Sequence, residues 1–286
     1  MIDVKVYDSK NENAWCPGCG NFGILPALKQ ALSELDLQPH QVVSVSGIGQ
    51  AAKTPQYINV NGFNGLHGRS VPAAQGIKIA NKELKVIINT GDGDSYGEGG
   101  NHLMHAIRRN VDITHLVHDN QIYGLTKGQG SPTTDVGHKT TMQFQGVISE
   151  PFRPLAFAIT MGCTFVARSF SGDRKHLVGI IKEAINHKGY ALVDILQPCV
   201  TYNHINTYKW YKERAYYLEG SYDSTNKMGA YEKAFEWGDE GIPLGVLYRE
   251  EKSTYTEKIS YLNEGPALVE RKWKPVDAEK FMEDFR

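Results

Sequence analysis

The sequence predicts an α/β chain in which a mostly parallel sheet is covered by helices on both faces. Three observations carry that prediction: five short apolar runs rich in β-branched residues, amphipathic segments of helical period between them, and connections long enough for parallel crossovers. Residues 42–46 (VVSVS), 85–90 (KVIINT), 113–118 (ITHLVH), 163–168 (CTFVAR) and 191–196 (ALVDIL) read as buried strands. Among the helices, ILPALKQALSEL sets Ile24, Leu28, Ala31 and Leu35 on one stripe. The segment NHLMHAIRRN, in a helix starting near Glu98, turns Leu103, Ala106 and Ile107 inward, and Arg108 and Arg109 suit the dipole at its end. HLVGIIKEAINHKG aligns Leu177, Ile181, Ala184 and Ile185 before stopping at Lys188-Gly189. Ligands of such sheets collect at the carboxyl ends of the strands. After about residue 200 the pattern fades into TYNHINTYKWYKERAYYLEGSYD, rich in Tyr and charge. The chain therefore divides into a main α/β domain over 1–200 and an extension over 201–286, expected to pack on the core or on a partner.

Composition narrows the function. The 286 residues carry 31 Lys plus Arg against 32 Asp plus Glu, a formal charge of -1, which excludes the strongly basic surface of a nucleic-acid or anionic-membrane binder. No stretch approaches 18 consecutive apolar residues, and the opening MIDVKVYDSKNENAW lacks the apolar middle of a secretory signal, so a cytoplasmic location is expected. Four cysteines (Cys16, Cys19, Cys163, Cys199) are too few for a disulfide scaffold of this length, and two of them form the metal or redox pattern CPGC.

The stretch GDGDSYGEGGNH, residues 91–102, follows directly on the second strand. Gly91 and Gly93 suit a turn at a strand end where a ligand approaches the main chain, and Asp92 projects from that end. Between Asp92 and Asn120 lie a helix and a strand, the length of one crossover unit, which can bring two strand ends side by side. A carboxylate and an amide oxygen converging there suit Mg²⁺, a hard cation that takes oxygen ligands and shares its shell with phosphate. The loop DNQIYGLTKGQGSPTT adds Gly124, Thr126 and backbone N–H groups for a diphosphate. GDG alone is most often an ordinary turn; the preceding strand, the crossover and the downstream Asn point to a metal-bridged diphosphate.

These segments, GDGDSYGEGGNHLMHAIRRN and HDNQIYGLTKGQGSPTT, closely resemble the thiamine diphosphate-binding β subunit of 2-oxoacid:ferredoxin oxidoreductases, and the resemblance runs from WCPGCG to about LQPC. It implies the thiamine diphosphate-binding fold in its diphosphate-binding half, with Mg²⁺ held by Asp92, Asn120 and the main-chain carbonyl of Ile122. Diphosphate contacts are implied for Gly93, Asp94, Gly124, Leu125 and Thr126 beside Gly91, and the thiazolium region near Ile48, Gly49 and His67. The implied reaction is CoA-dependent oxidative decarboxylation of a 2-oxoacid, or its reversal. The implied partners are ferredoxin and an α subunit that holds the pyrimidine-binding half, in one or two heterodimers. Lys127, at the diphosphate loop, resembles the version that accepts 2-oxoglutarate or a broad range of 2-oxoacids, as a cation for a second carboxylate. His67 and Arg69, in GLHGRS, read either as a surface turn or as contacts to thiamine or the substrate carboxylate. His102 and His105 have no metal-like partner set.

The CxxC of WCPGCGNFG alone fits half a zinc site, a dithiol pair or a cluster. In the resembled family it supplies two ligands of a [4Fe-4S] cluster, with a third in GIGC and a fourth in the segment matching LQPC. This chain has SGIGQAAK, so Gln50 stands where a Cys is expected. Cys163 opens a strand whereas Cys199 follows the end of another, which puts them at opposite sheet edges, about 15–20 Å apart at ~3.3 Å per residue. The expectation is a cluster on Cys16, Cys19 and Cys199, with Gln50 or another non-Cys group near the fourth iron and Cys163 as a buried thiol. The rival readings are a non-redox thiamine enzyme, which has no use for CPGC, and a zinc-stabilised nucleotide-binding module.

Overall fold

The structure is a computed structural model describing residues 2–218, 220–272, 282–283 and 285. Residues 219, 273–281, 284 and 286 of the expected extension lie outside the described residues. In chain order, helix α1 (Asn21–Glu34) leads to strand β1 (Val42–Ser46), followed by α2 (Thr54–Tyr57), β2 (Asn61–Asn64), α3 (Ser70–Ala80), β3 (Lys85–Gly91), α4 (Gly100–Arg109) and β4 (Ile113–Asp119). A small antiparallel hairpin, β5 (Ile122–Tyr123) with β6 (Gln129–Gly130), stands apart from the main sheet. Then come α5 (Pro154–Thr160), β7 (Phe165–Phe170), α6 (Arg174–Asn186), β8 (Tyr190–Leu196), α7 (Tyr208–Arg214), β9 (Ala215–Tyr217), α8 (Lys227–Phe235), β10 (Ile242–Arg249) and α9 (Ser260–Asn263).

Among the described residues the main sheet has eight strands in the order β2-β1-β3-β4-β8-β7-β10-β9, parallel throughout except where β10 runs against β7. Its central strands are buried on both faces, and alternate residues feed two cores. Ile87, Leu116 and Val193 pack under α1 and α6, while Ile88, Val117 and Leu192 pack under α3, α4, α5 and α8. Leu103, Ala106 and Ile107 are the buried face of α4, as the helical period predicts, and Asn110 closes that helix in the left-handed conformation. A third cluster, Phe170, Leu196, Tyr211, Ile242 and Leu244, joins the segment after residue 200 to the sheet.

Two local differences from the sequence reading have clear causes. The strand expected from Cys163 starts at Phe165, because the Cys163 amide donates to Ala158 O at the end of α5 and the Thr164 hydroxyl donates to Asn110. The segment after residue 200 supplies two strands to the main sheet, which the sequence did not reveal. Among the described residues no helix is long and apolar enough to cross a membrane.

Strand order decides where chemistry can occur. β3 and β4 are neighbours, with Gly91 opposite His118, so the chain leaves both strands at one edge and carries Asp92 and Asn120 out side by side.

Candidate functional site

The residues that the resemblance assigns to the coenzyme line one cavity of ≈80 Å³ at this edge: Ile48, Gly49, His67, Gly91, Asp92, Gly93, Asp94, Asn120, Ile122, Gly124, Leu125 and Thr126. The two glycines serve the strand end in different ways. Neither Gly91 nor Gly93 takes a positive φ, since β3 runs straight into a wide helical turn over Gly93–Glu98 with Asp92 at φ -57°, ψ -43°. Gly93 is required by packing, because a Cβ there would stand 2.2 Å from Cε1 of Tyr123. A Cβ on Gly91 would meet nothing within 4 Å, so that strand tip is open toward the cavity.

Asp92 is almost wholly buried, and its Oδ2 accepts hydrogen bonds from the hydroxyls of Ser131 and Thr133. Burial pushes its pKa up to about 6, against the lowering effect of those two donors. Thr133 Oγ1 lies 2.8 Å from both Asp92 Oδ2 and Asp119 Oδ1, so one hydroxyl ties the two strand ends together. Behind them, burial also pushes up Asp119 and Asp194, and Arg168 approaches Asp194 at 3.5 Å. Asn120 forms a tight turn in which its Oδ1 accepts from the Ile122 amide at 3.0 Å, and Gln121 takes φ 56° to let the chain reverse.

Asp94 joins the loops of the opposite wall. Its Oδ1 accepts from the amides of Ile48 (3.1 Å) and Gly68 (2.8 Å) and lies 2.8 Å from His67 Nδ1, while burial raises its pKa. The sequence reading missed His118, which also lines the cavity. Its Nδ1 pairs with Asn21 Oδ1 at 2.7 Å, and burial lowers its pKa to about 3, so the ring is neutral. Buried atoms at this edge, His118 Nε2, Asp94 Oδ2 and Gln50 Oε1 among them, have no hydrogen-bond partner among the described residues. The available signal was the position of His118 two residues before Asn120, but the pairing with Asn21 is visible only in three dimensions.

The cysteines form an adjoining cavity of ≈150 Å³ lined by Cys16, Cys19 and Cys199 together with Trp15, Gln50, Gln197 and Lys127. The two cavities share Gln50, Asn120, Gly124 and Leu125. Burial pushes the Cys19 thiol up to about 11, with the nearby sulfurs of Cys199 and Cys16 adding to it and the Asn21 amide and Gln197 opposing it. Cys163 is fully buried elsewhere, its sulfur 3.3 Å from the carbonyls of Phe165 and Tyr190. Lys127 is exposed and stands at the cysteine cavity, and Arg69 is exposed and outside both linings. Among the described residues no three His, Cys, Asp or Glu side chains are gathered closely enough for a single metal ion. Broader clefts of ≈710 and ≈720 Å³ border α6 and β10, with mixed Lys, Arg and Glu walls and without the strand-end residues.

This edge, with an acidic strand tip facing an Asn turn across a crossover, defines the class. Residues 15–195 match the thiamine pyrophosphate enzyme C-terminal TPP binding domain, and residues 199–264 match the C-terminal family of the pyruvate ferredoxin oxidoreductase β chain. The chain belongs to the β subunits of the 2-oxoacid:ferredoxin oxidoreductases, which are oxidoreductases. It is 48% identical over 272 residues to 2-oxoacid:ferredoxin oxidoreductase 1, subunit beta, of Aeropyrum pernix, covering 91% of this chain and 85% of that one. It is also 48% identical to the corresponding β subunit of Saccharolobus solfataricus, covering 96% and 97%. The structure superposes on 2-oxoglutarate:ferredoxin oxidoreductase from Magnetococcus marinus, solved with 2-oxoglutarate, coenzyme A and succinyl-CoA bound, with a TM-score of 0.92, 33% identity, and coverage of 100% and 96%.

Proposed function

We propose that this β subunit binds thiamine diphosphate through Mg²⁺ at the Asp92–Asn120 edge, carries an iron–sulfur cluster in the cysteine cavity, and acts on 2-oxoglutarate with coenzyme A and ferredoxin. The observation that carries the reading is the convergence of Asp92, Asn120 and Ile122 on one cavity that shares a wall with three thiols. The donor set fits the cation, because a carboxylate, an amide oxygen and a main-chain carbonyl are all hard oxygens. The open face at Gly91 and the unpartnered His118 Nε2 and Asp94 Oδ2 fit a polar group entering the cavity. When bound, thiamine diphosphate supplies a nucleophilic carbon and an electron sink for the loss of CO₂ from a 2-oxoacid.

The residues of this chain have distinct tasks in that reading. Asp92 and Asn120 hold the cation, Thr133 and Ser131 fix the Asp92 carboxylate, and the amides of Gly124, Leu125 and Thr126 face the diphosphate. Asp94 braces Ile48 and His67 beside the ring. Lys127 offers a cation to the second carboxylate of 2-oxoglutarate, which agrees with the names of relatives such as the 2-oxoglutarate oxidoreductase subunit KorB of Mycobacterium tuberculosis, 40% identical over 232 residues. A cavity of ≈80 Å³ is small beside the roughly 300–1,000 Å³ of a typical cofactor site, so the rest of the coenzyme is assigned to an α subunit. Cys16, Cys19 and Cys199 fit a cluster better than zinc: each iron of a cluster takes one thiolate, whereas zinc needs its ligands gathered around one ion.

The test is anaerobic purification of the β chain with its α partner, analysis for thiamine diphosphate, magnesium, iron and sulfide, and assay of 2-oxoglutarate-dependent ferredoxin reduction. A colourless complex containing zinc, or one without coenzyme, overturns the proposal.

A further inference from the structure

We infer that one iron of the proposed cluster is bound by the side-chain oxygen of Gln50 in place of a thiolate, which makes that iron exchangeable. The inference rests on the cluster reading above and adds the identity and consequence of its fourth ligand. Three thiols face the cysteine cavity, and the remaining cysteine, Cys163, is sealed beneath the far edge of the sheet. Gln50 lines that same cavity, and its Oε1 is buried with no hydrogen-bond partner among the described residues. Removing an amide oxygen from water without a partner costs about 1–3 kcal/mol, so the position calls for an electron-pair acceptor that the protein atoms do not provide.

The backbone around Gln50 is fixed relative to the thiols. Trp15, the residue before Cys16, donates its indole N–H to Gln50 O at 2.8 Å, and its ring packs edge-on against Tyr57 at 4.8 Å and Phe22 at 5.5 Å. Of the other amides at the wall, Asn120 Oδ1 accepts from Ile122, and Gln197 donates through Nε2 to Cys19. Lys127 is a cation and brings no lone pair. Gln197, Thr201 and Tyr202 also line the wall, but Gln50 Oε1 is the side-chain oxygen there that is buried without a partner among the described residues, and the cavity, about five times the ~30 Å³ share of one water molecule, has room for more than solvent.

A neutral, hard oxygen gives iron less charge than a soft thiolate. The cluster then carries one unit less negative charge, its potential rises, and the Gln50 iron is the first to leave. Oxidative loss balances as [4Fe-4S]²⁺ going to [3Fe-4S]⁺ plus Fe²⁺ plus one electron, the electron being taken by an added one-electron oxidant such as ferricyanide.

The experiment uses the anaerobic α–β complex titrated with ferricyanide and followed by iron analysis and electron paramagnetic resonance. Wild type loses one iron per cluster, gains the signal of an oxidised three-iron cluster, and recovers with added Fe²⁺. Gln50→Cys holds four irons, with loss slowed at least tenfold and a more negative potential. In ¹⁷O water the reduced wild-type cluster shows no ¹⁷O coupling, whereas Gln50→Ala acquires it as water takes the vacated position; this arm stands even if the cysteine variant fails to fold. Equal iron loss in wild type and Gln50→Cys, or ¹⁷O coupling in wild type, overturns the Gln50 assignment while leaving the cluster in place. A complex without iron and sulfide overturns the cluster reading along with it.

Discussion

Thr133→Val tests how the buried hydroxyl network holds the proposed cation site. The substitution keeps the shape of the side chain and removes only the hydroxyl that lies 2.8 Å from both Asp92 and Asp119. Thr133 is itself buried, so no water freely replaces the lost donor. Asp92 keeps Ser131, and Asp119 keeps the Gln121 amide at 3.1 Å, so the carboxylates survive but lose their common tie. A hydrogen bond to a charged group contributes roughly 1.5–3 kcal/mol, which is the expected loss of stability in the metal-free protein. Groups that orient metal ligands typically change affinity about 10–100-fold, and that range is the expected rise in Kd for Mg²⁺–thiamine diphosphate. Isothermal titration of the α–β complex measures the affinity and urea unfolding the stability, with Thr160→Val, whose hydroxyl donates to Ala156 O within α5, as the control. An affinity within about threefold of wild type, with the control equally affected, refutes the argument that Thr133 positions the ligand.

Other outcomes follow from the same geometry. Gly93→Ala forces a methyl to 2.2 Å from the Tyr123 ring, so the variant loses about 1–3 kcal/mol of stability and binds coenzyme more weakly; an unchanged melting temperature contradicts the packing role. His115 is buried neutral between Thr90 and Tyr190, and burial, then the neighbouring His118, lowers its pKa to about 3. Because the unfolded chain takes up that proton first, the contribution is fully present above the unfolded value and is lost as pH falls from about 6.5 toward 3, by up to roughly 5 kcal/mol. His115→Gln flattens that part of the stability profile if the reasoning holds, and an unaltered acid limb sinks it. Lys127→Ala lowers kcat/KM for 2-oxoglutarate by roughly tenfold or more, the worth of a charge-assisted hydrogen bond, with a smaller effect on pyruvate; equal losses remove Lys127 from substrate selection.

The core strands and the cavity were legible because both are written in local sequence. Runs such as VVSVS and ITHLVH suit a parallel sheet covered on both faces, and a crossover of the length from Asp92 to Asn120 can set two strand ends side by side. The missed strands lack such a signal. β2 is the exposed tetrapeptide NGFN, and β10 contains Pro243, a left-handed Gly245 and a register shift after Val246, so its pairing is decided by β7 and not by its own pattern. The packing reason for Gly93 was not legible, because the clash with Tyr123 comes from a residue 30 positions away. The bond from His118 to Asn21 spans 97 residues, and the tie from Thr133 to both carboxylates joins segments that periodicity cannot bring together.

The most direct measurement is equilibrium binding of thiamine diphosphate to the α–β complex with and without Mg²⁺, for wild type and Asp92→Asn. One coenzyme per β chain, abolished by chelation and weakened at least about tenfold by Asp92→Asn, is the predicted result, since the substituted amide offers the cation no charge. Coenzyme bound equally well without magnesium and without the Asp92 carboxylate would contradict the account at its centre.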